Sequence, residues 1–249
     1  MARAGIDGYY RNKDTIRQGG QSPEAPSAWN PGKTLIRNLA VSLCLLAPVS
    51  GGAQDLSANA QLLVAARQGD LASAKRLLAG GAAVNSRNRL GDTLLLIALK
   101  NDNADMARLA VERGANVNLA NLSGVTPLMA ASFSGNADLV KILLQKGAER
   151  APADRVGKTA MVYAAALGHA DIVELLLASG ESPRAMYNND LTALMWAAAY
   201  GHTDTVRLLL ERGADASARD NRGKTALAMA IEGGHKETEQ VLRKAGAAP

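Results

Sequence analysis

Hydrophobic and polar positions alternate along this chain with the period of short helices. In Asp138-Leu-Val-Lys-Ile-Leu-Leu144 the apolar residues fall at i, i+1, i+3, i+4 and i+5. That spacing predicts a helix with a wide buried face. Just upstream, Ser123-Gly124-Val125-Thr126-Pro127-Leu128 predicts a turn followed by a helix start. Gly124 permits positive φ, Thr126 offers a hydroxyl cap, and Pro127 suits the first helical position. The helix opened there carries small residues that allow close approach, and Gly135 ends it. Gly147 closes the second helix.

This unit recurs. Gly81, Gly114, Gly147, Gly180, Gly213 and Gly246 are each 33 residues apart. Gly69, Gly135, Gly168, Gly201 and Gly234 lie on the same grid, with Asp102 in the remaining slot. Thr93, Thr126, Thr159, Thr192 and Thr225 keep the interval, as do His169, His202 and His235. Strict register without an insertion is the mark of a repeat architecture.

The segments Gly124-Val-Thr-Pro-Leu-Met-Ala-Ala131, Gly201-His-Thr-Asp-Thr-Val-Arg-Leu-Leu-Leu210 and Gly213-Ala-Asp215 resemble the ankyrin repeat. The resemblance covers about residues 57–247. It implies an all-α solenoid of six helix-turn-helix repeats with β-turn fingers projecting to one side. The repeats divide as 57–88, 89–121, 122–154, 155–187, 188–220 and 221–247. Departures are local. The family's proline is kept only as Pro127, with Leu94, Ala160, Ala193 and Ala226 elsewhere. Its histidine after leucine is absent, and Asp190 replaces a turn glycine.

A stack of identical units exposes an apolar face at each end unless the terminal units differ. Val140, Val173 and Val206 give way to Glu239 in the sixth unit, and Leu144, Leu177 and Leu210 to Arg243. At the other end Arg76 stands where later units have Leu109, Ile142, Leu175 and Leu208. These replacements predict that six repeats are the whole domain; the protein is expected to be a monomer.

Composition narrows the function classes. The chain has 249 residues, 47% of them hydrophobic, 20% charged and only 3% aromatic. Alanine, leucine and valine must therefore build the core. One cysteine and three histidines exclude a disulfide framework and a Cys-rich zinc module. The net charge is +5, but residues 1–53 hold six basic and three acidic residues. The remainder carries 22 basic and 20 acidic residues, a net of +2 without a clustered basic face. No nucleic-acid partner is expected.

Residues 33–53 have the layout of a signal peptide. Lys33 to Asn38 is positive, Leu39 to Val49 is an eleven-residue apolar run, and small residues follow. Cleavage is expected between Ala53 and Gln54, giving a periplasmic or secreted protein. The apolar run is too short for a stable membrane anchor. Residues 1–32 are polar and aperiodic and are expected to be disordered or a mis-called extension, with the true start near residues 30–37.

The search for chemistry yields structural explanations. Gly32-Lys33-Thr34, Gly157-Lys158-Thr159 and Gly223-Lys224-Thr225 lack the glycine that a phosphate loop needs five residues earlier; Ser27, Pro152 and Ala218 stand there. Equivalent positions on stacked helices lie ~8–10 Å apart, too far for three histidines to share one zinc. The expectation is a non-catalytic chain with no cofactor and no metal, the histidines being structural. An enzyme or metal carrier using His169, His202 and His235 is the rival reading.

The working surface of a solenoid is usually its concave face. On the ankyrin pattern this face has Arg67 and Lys100 in the outer units but Phe133, Leu167 and Tyr200 in the central three. Fingers add Leu122, Val125, Val156, Tyr187 and Leu191. All five aromatics of the repeat region lie between residues 133 and 200, Tyr163 and Trp196 among them as partly core residues. Exposed aromatic clusters mark contact surfaces. The expected function is protein or peptide binding at Phe133, Leu167, Tyr200, Val125, Val156, Tyr187 and Leu191. A cytosolic scaffold, or a secreted effector acting on a host protein, stands as the alternative.

Overall fold

The computed structural model describes residues 57–248. The expectations for residues 1–32, for the leader at 33–53 and for cleavage between Ala53 and Gln54 lie outside them. Among the described residues there are twelve α-helices and no strand, in agreement with the all-α expectation. In chain order they are α1 (Ala58–Gln68), α2 (Leu71–Ala79), α3 (Leu94–Lys100), α4 (Ala104–Glu112), α5 (Pro127–Ser134) and α6 (Ala137–Gln145). Then follow α7 (Ala160–Leu167), α8 (Ala170–Ala178), α9 (Ala193–Ala199), α10 (Thr203–Glu211), α11 (Ala226–Glu232) and α12 (Lys236–Lys244).

The helices pair as α1/α2 through α11/α12, and the pairs stack in chain order. The first helices form one row, α1 to α3 to α5 to α7 to α9 to α11, and the second helices another. Alanines make the first row possible. Ala131, Ala164, Ala165, Ala197, Ala198 and Ala230 are almost wholly buried between neighbouring helices. On the second row the buried faces are Leu139, Val140 and Leu143 of α6, Ile172, Val173 and Leu176 of α8, and Val206 and Leu209 of α10. At the end, Arg243 of α12 is exposed and ion-pairs with Glu239 at 2.9 Å, while exposed Arg76 of α2 donates to Ser73 Oγ at 2.8 Å.

Capping explains the helix starts. Thr93, Thr126, Thr159, Thr192 and Thr225 each accept a hydrogen bond from the backbone N–H three residues on, at 3.2–3.4 Å. Each satisfies a donor that the helix leaves unpaired. The second helices split into two groups. Asp70, Asn103 and Asn136 cap α2, α4 and α6 through their side chains. His169, His202 and His235, on the same 33-residue grid, start α8, α10 and α12 without a side-chain cap.

The fingers join each pair to the next, and each takes the number of the pair it leads into, second to sixth. Asn88, Asn121, Asp154 and Asp220 brace four of them, each accepting from the N–H groups two and four residues ahead. Tyr187 occupies this position in the fifth finger, and a short 3-10 turn, Asn188–Asp190, replaces the braced loop. Asn189 and Asp190 there take positive φ, 62° and 59°. Neighbouring fingers are linked by backbone bonds Leu122 N–H to Leu90 O, Arg155 N–H to Ser123 O, and Asn221 N–H to Asn189 O. Between the fourth and fifth fingers, the Asn188 side chain instead lies against Gly157.

Candidate functional site

The C-terminal ends of the first helices and the bases of the fingers carry a continuous strip of rings. Phe133 of α5 meets the edge of Tyr163 of α7, with centroids 5.7 Å apart and planes at 74°. Trp196 of α9 stacks on Tyr200 at 6.3 Å, and Tyr200 lies 6.2 Å from the His202 ring. Lys158, from the fourth finger, joins the two halves. Its Nζ lies 5.6 Å from the Tyr163 centroid and 5.4 Å from that of Trp196. This is the range of cation–π attraction. Burial lowers the Lys158 pKa, and the Asp154 carboxylate opposes that shift. Tyr163 donates to Asp154 Oδ2 at 2.5 Å, and its own pKa is pushed up, first by burial and then by that bond.

Phe133, Tyr163 and Tyr200 are half-buried, and Trp196 is buried in the inner row. Leu167 at the end of α7 is 38% exposed, and Val156 on the fourth finger is 64% exposed. Leu122 is exposed on the third finger, and Val125 is half-buried against the core.

Two finger residues depart from expectation. Leu191 is only 4% exposed, so it is a core residue rather than part of an open contact surface. It precedes the capping Thr192 and stands at the base of its finger, where an apolar side chain turns under the loop. Tyr187 is half-buried, and its hydroxyl donates to Glu181 Oε1 at 2.7 Å. The bond ties the ring to Glu181 within the stack. Glu181 occupies the grid position of Ala82, Ala115, Ala148, Ala214 and Ala247. Burial raises its pKa, against the Tyr187 bond and the Arg150 charge.

Sequence reasoning passed over Lys158 as an ordinary turn residue, and passed over Glu181 altogether. Comparing each against its grid mates was the available signal. The histidines have a packing role. A Cβ on Gly135 would lie 2.7 Å from the His169 Cε1, and one on Gly168 would lie 2.5 Å from the His202 Nδ1. Each of these glycines leaves the space its histidine fills. His202 Nε2 lies 3.0 Å from the Ala166 carbonyl and His235 Nε2 lies 3.1 Å from that of Ala199. Burial lowers the His202 pKa, chiefly through desolvation. No three of the described His, Cys, Asp and Glu residues are arranged to hold a metal ion. Nor is any described helix long and apolar enough to cross a membrane.

No curated protein matches the chain. A family model described as ankyrin repeats (three copies) matches residues 62–154 and 161–249. Those two stretches take in nearly all of the stacked helix pairs and well over half of the sequence, and the chain therefore belongs to the ankyrin repeat family.

Proposed function

We propose that this chain, whose repeats are of a kind that in general serves protein–protein interaction and is typically non-catalytic, is a monomeric, non-catalytic module that captures a protein or peptide on its inner face, over the third to fifth helix pairs. The observation that carries the reading is the strip Phe133, Tyr163, Lys158, Trp196 and Tyr200, which crosses three adjacent pairs and is bordered by exposed Leu167 and Val156. Aromatic anchors with a partly exposed face supply large contact area at little entropic cost. The leader pattern at 33–53 supports export, with cleavage after Ala53 and work in a periplasmic or extracellular space.

The test is affinity capture from the exported fraction with the mature chain as bait, beside a Phe133→Ala/Leu167→Ala/Tyr200→Ala variant of matched circular dichroism. The expected outcome is a partner held by the wild type and lost by the variant. Undiminished capture by the variant refutes the reading.

A further inference from the structure

Each of the five fingers places one residue just before its capping threonine, and eight positions later the following helix places another. The pairs are Asp92 with Lys100, Val125 with Phe133, Lys158 with Ala166, Leu191 with Ala199, and Lys224 with Glu232. Four of the five match. Lys100 is joined to Asp92 by a 2.6 Å salt bridge, and Lys224 to Glu232 by another of 2.6 Å. Val125 and Leu191 have apolar mates. Lys158 is the exception, because Ala166 offers it nothing.

No other described side chain neutralises that ammonium. It takes part in no ion pair or hydrogen bond among the described residues, and its contacts are the faces of Tyr163 and Trp196. The Asp154 charge acts on it, yet the carboxylate is held by other donors and makes no ion pair with it. Oδ1 accepts from the Val156 and Lys158 backbone N–H groups, and Oδ2 accepts from the Tyr163 hydroxyl. A half-buried cation with no carboxylate in direct ion-pair contact keeps part of its desolvation cost unrepaid. An incoming anion that pairs with it there, shielded from water by the rings, gains more than the same pair in solvent. Around it lie the Tyr163 and Trp196 rings, with Phe133 packed on the first and Tyr200 on the second.

The geometry points to a partner segment that crosses α5, α7 and α9 in extended form and sets one Asp or Glu side chain against Lys158, with apolar side chains flanking it. This rests on the inner-face reading above and adds what the face selects. Lys158 is then the residue that sets specificity, and the aromatic strip supplies the bulk of the contact.

The experiment selects random peptides of about twelve residues, which span about 40 Å when extended. They are displayed on phage with their C-termini fused, so that only side chains offer carboxylates. Selection is run on the full chain, on Lys158→Met and on the Phe133/Leu167/Tyr200 triple alanine variant, each at matched circular dichroism. Expected on the wild type are sequences with one fixed acidic residue between apolar ones, absent from those enriched on Lys158→Met. Resynthesised with Glu→Gln, such peptides bind the wild type about tenfold more weakly and Lys158→Met with unchanged affinity. Enriched peptides that carry no acidic preference, yet need the Phe133/Leu167/Tyr200 side chains, overturn the carboxylate proposal and leave the inner-face reading standing. Enrichment indifferent to the triple variant, or none on the wild type, overturns both.

Discussion

At the scale of single residues, His202 shows how a ring read as structural acquires a measurable consequence. Burial depresses its pKa below the ordinary 6.5, so the folded chain binds fewer protons than the unfolded chain. The contribution is therefore complete above pH 6.5 and is lost as pH falls through 6.5 toward the depressed folded value. Acidification from about pH 7.5 to about pH 5.5 should destabilise the wild type more than His202→Asn, measured by urea denaturation at both values. Asparagine already starts α6 at the equivalent position, so this variant keeps a workable helix start. Identical pH profiles for the two proteins would refute the assignment. Other residues were harder to read in advance. Leu191 belongs to the core because it lies at a finger's base, a distinction that hydrophobicity alone does not carry. Tyr187 and Glu181 depart from their grid mates together, an asparagine or aspartate and an alanine respectively. They touch only in three dimensions.

At the scale of elements, the helix starts were legible and the links between neighbours were not. The five threonines sit where a cap was expected, and each makes the bond. At position 136 the preceding pair leaves a histidine ring no room, whereas Asn103 keeps an asparagine even though it lies against Gly69. His169, His202 and His235 rest on Gly135, Gly168 and Gly201, whereas position 102, the corresponding site for residue 136, is Asp102 with φ 52°. A side chain there blocks the ring. Asn136→His is expected to lose the α6 cap, costing about 1 kcal/mol, and to meet Asp102 as well. Combined with Asp102→Gly, the histidine finds open space. The double-mutant cycle, read from denaturation midpoints, should show a favourable coupling of about 1 kcal/mol or more. Strict additivity would refute the steric account.

At the scale of the whole molecule, the repeat interval made the architecture readable, because a unit that recurs in register buries its apolar face only against its own neighbours. The binding face was partly readable. The aromatic residues were visible in the sequence, but the lysine that lies between two of them looked like any other turn residue. The polar ends predict a further result. Glu239→Val with Arg243→Leu restores the apolar grid residues on the last helix. Light scattering should then show concentration-dependent association that the wild type lacks; a variant that stays the size of the wild type at all concentrations refutes the view that these two residues terminate the stack. The exchange of capping side chains for histidines also gives the array a direction. α2, α4 and α6 carry their own fastening, whereas α10 and α12 borrow a carbonyl 36 residues upstream. A chain emerging from the ribosome makes each lender before its borrower, so each of the last two bricks arrives to find its mooring already set.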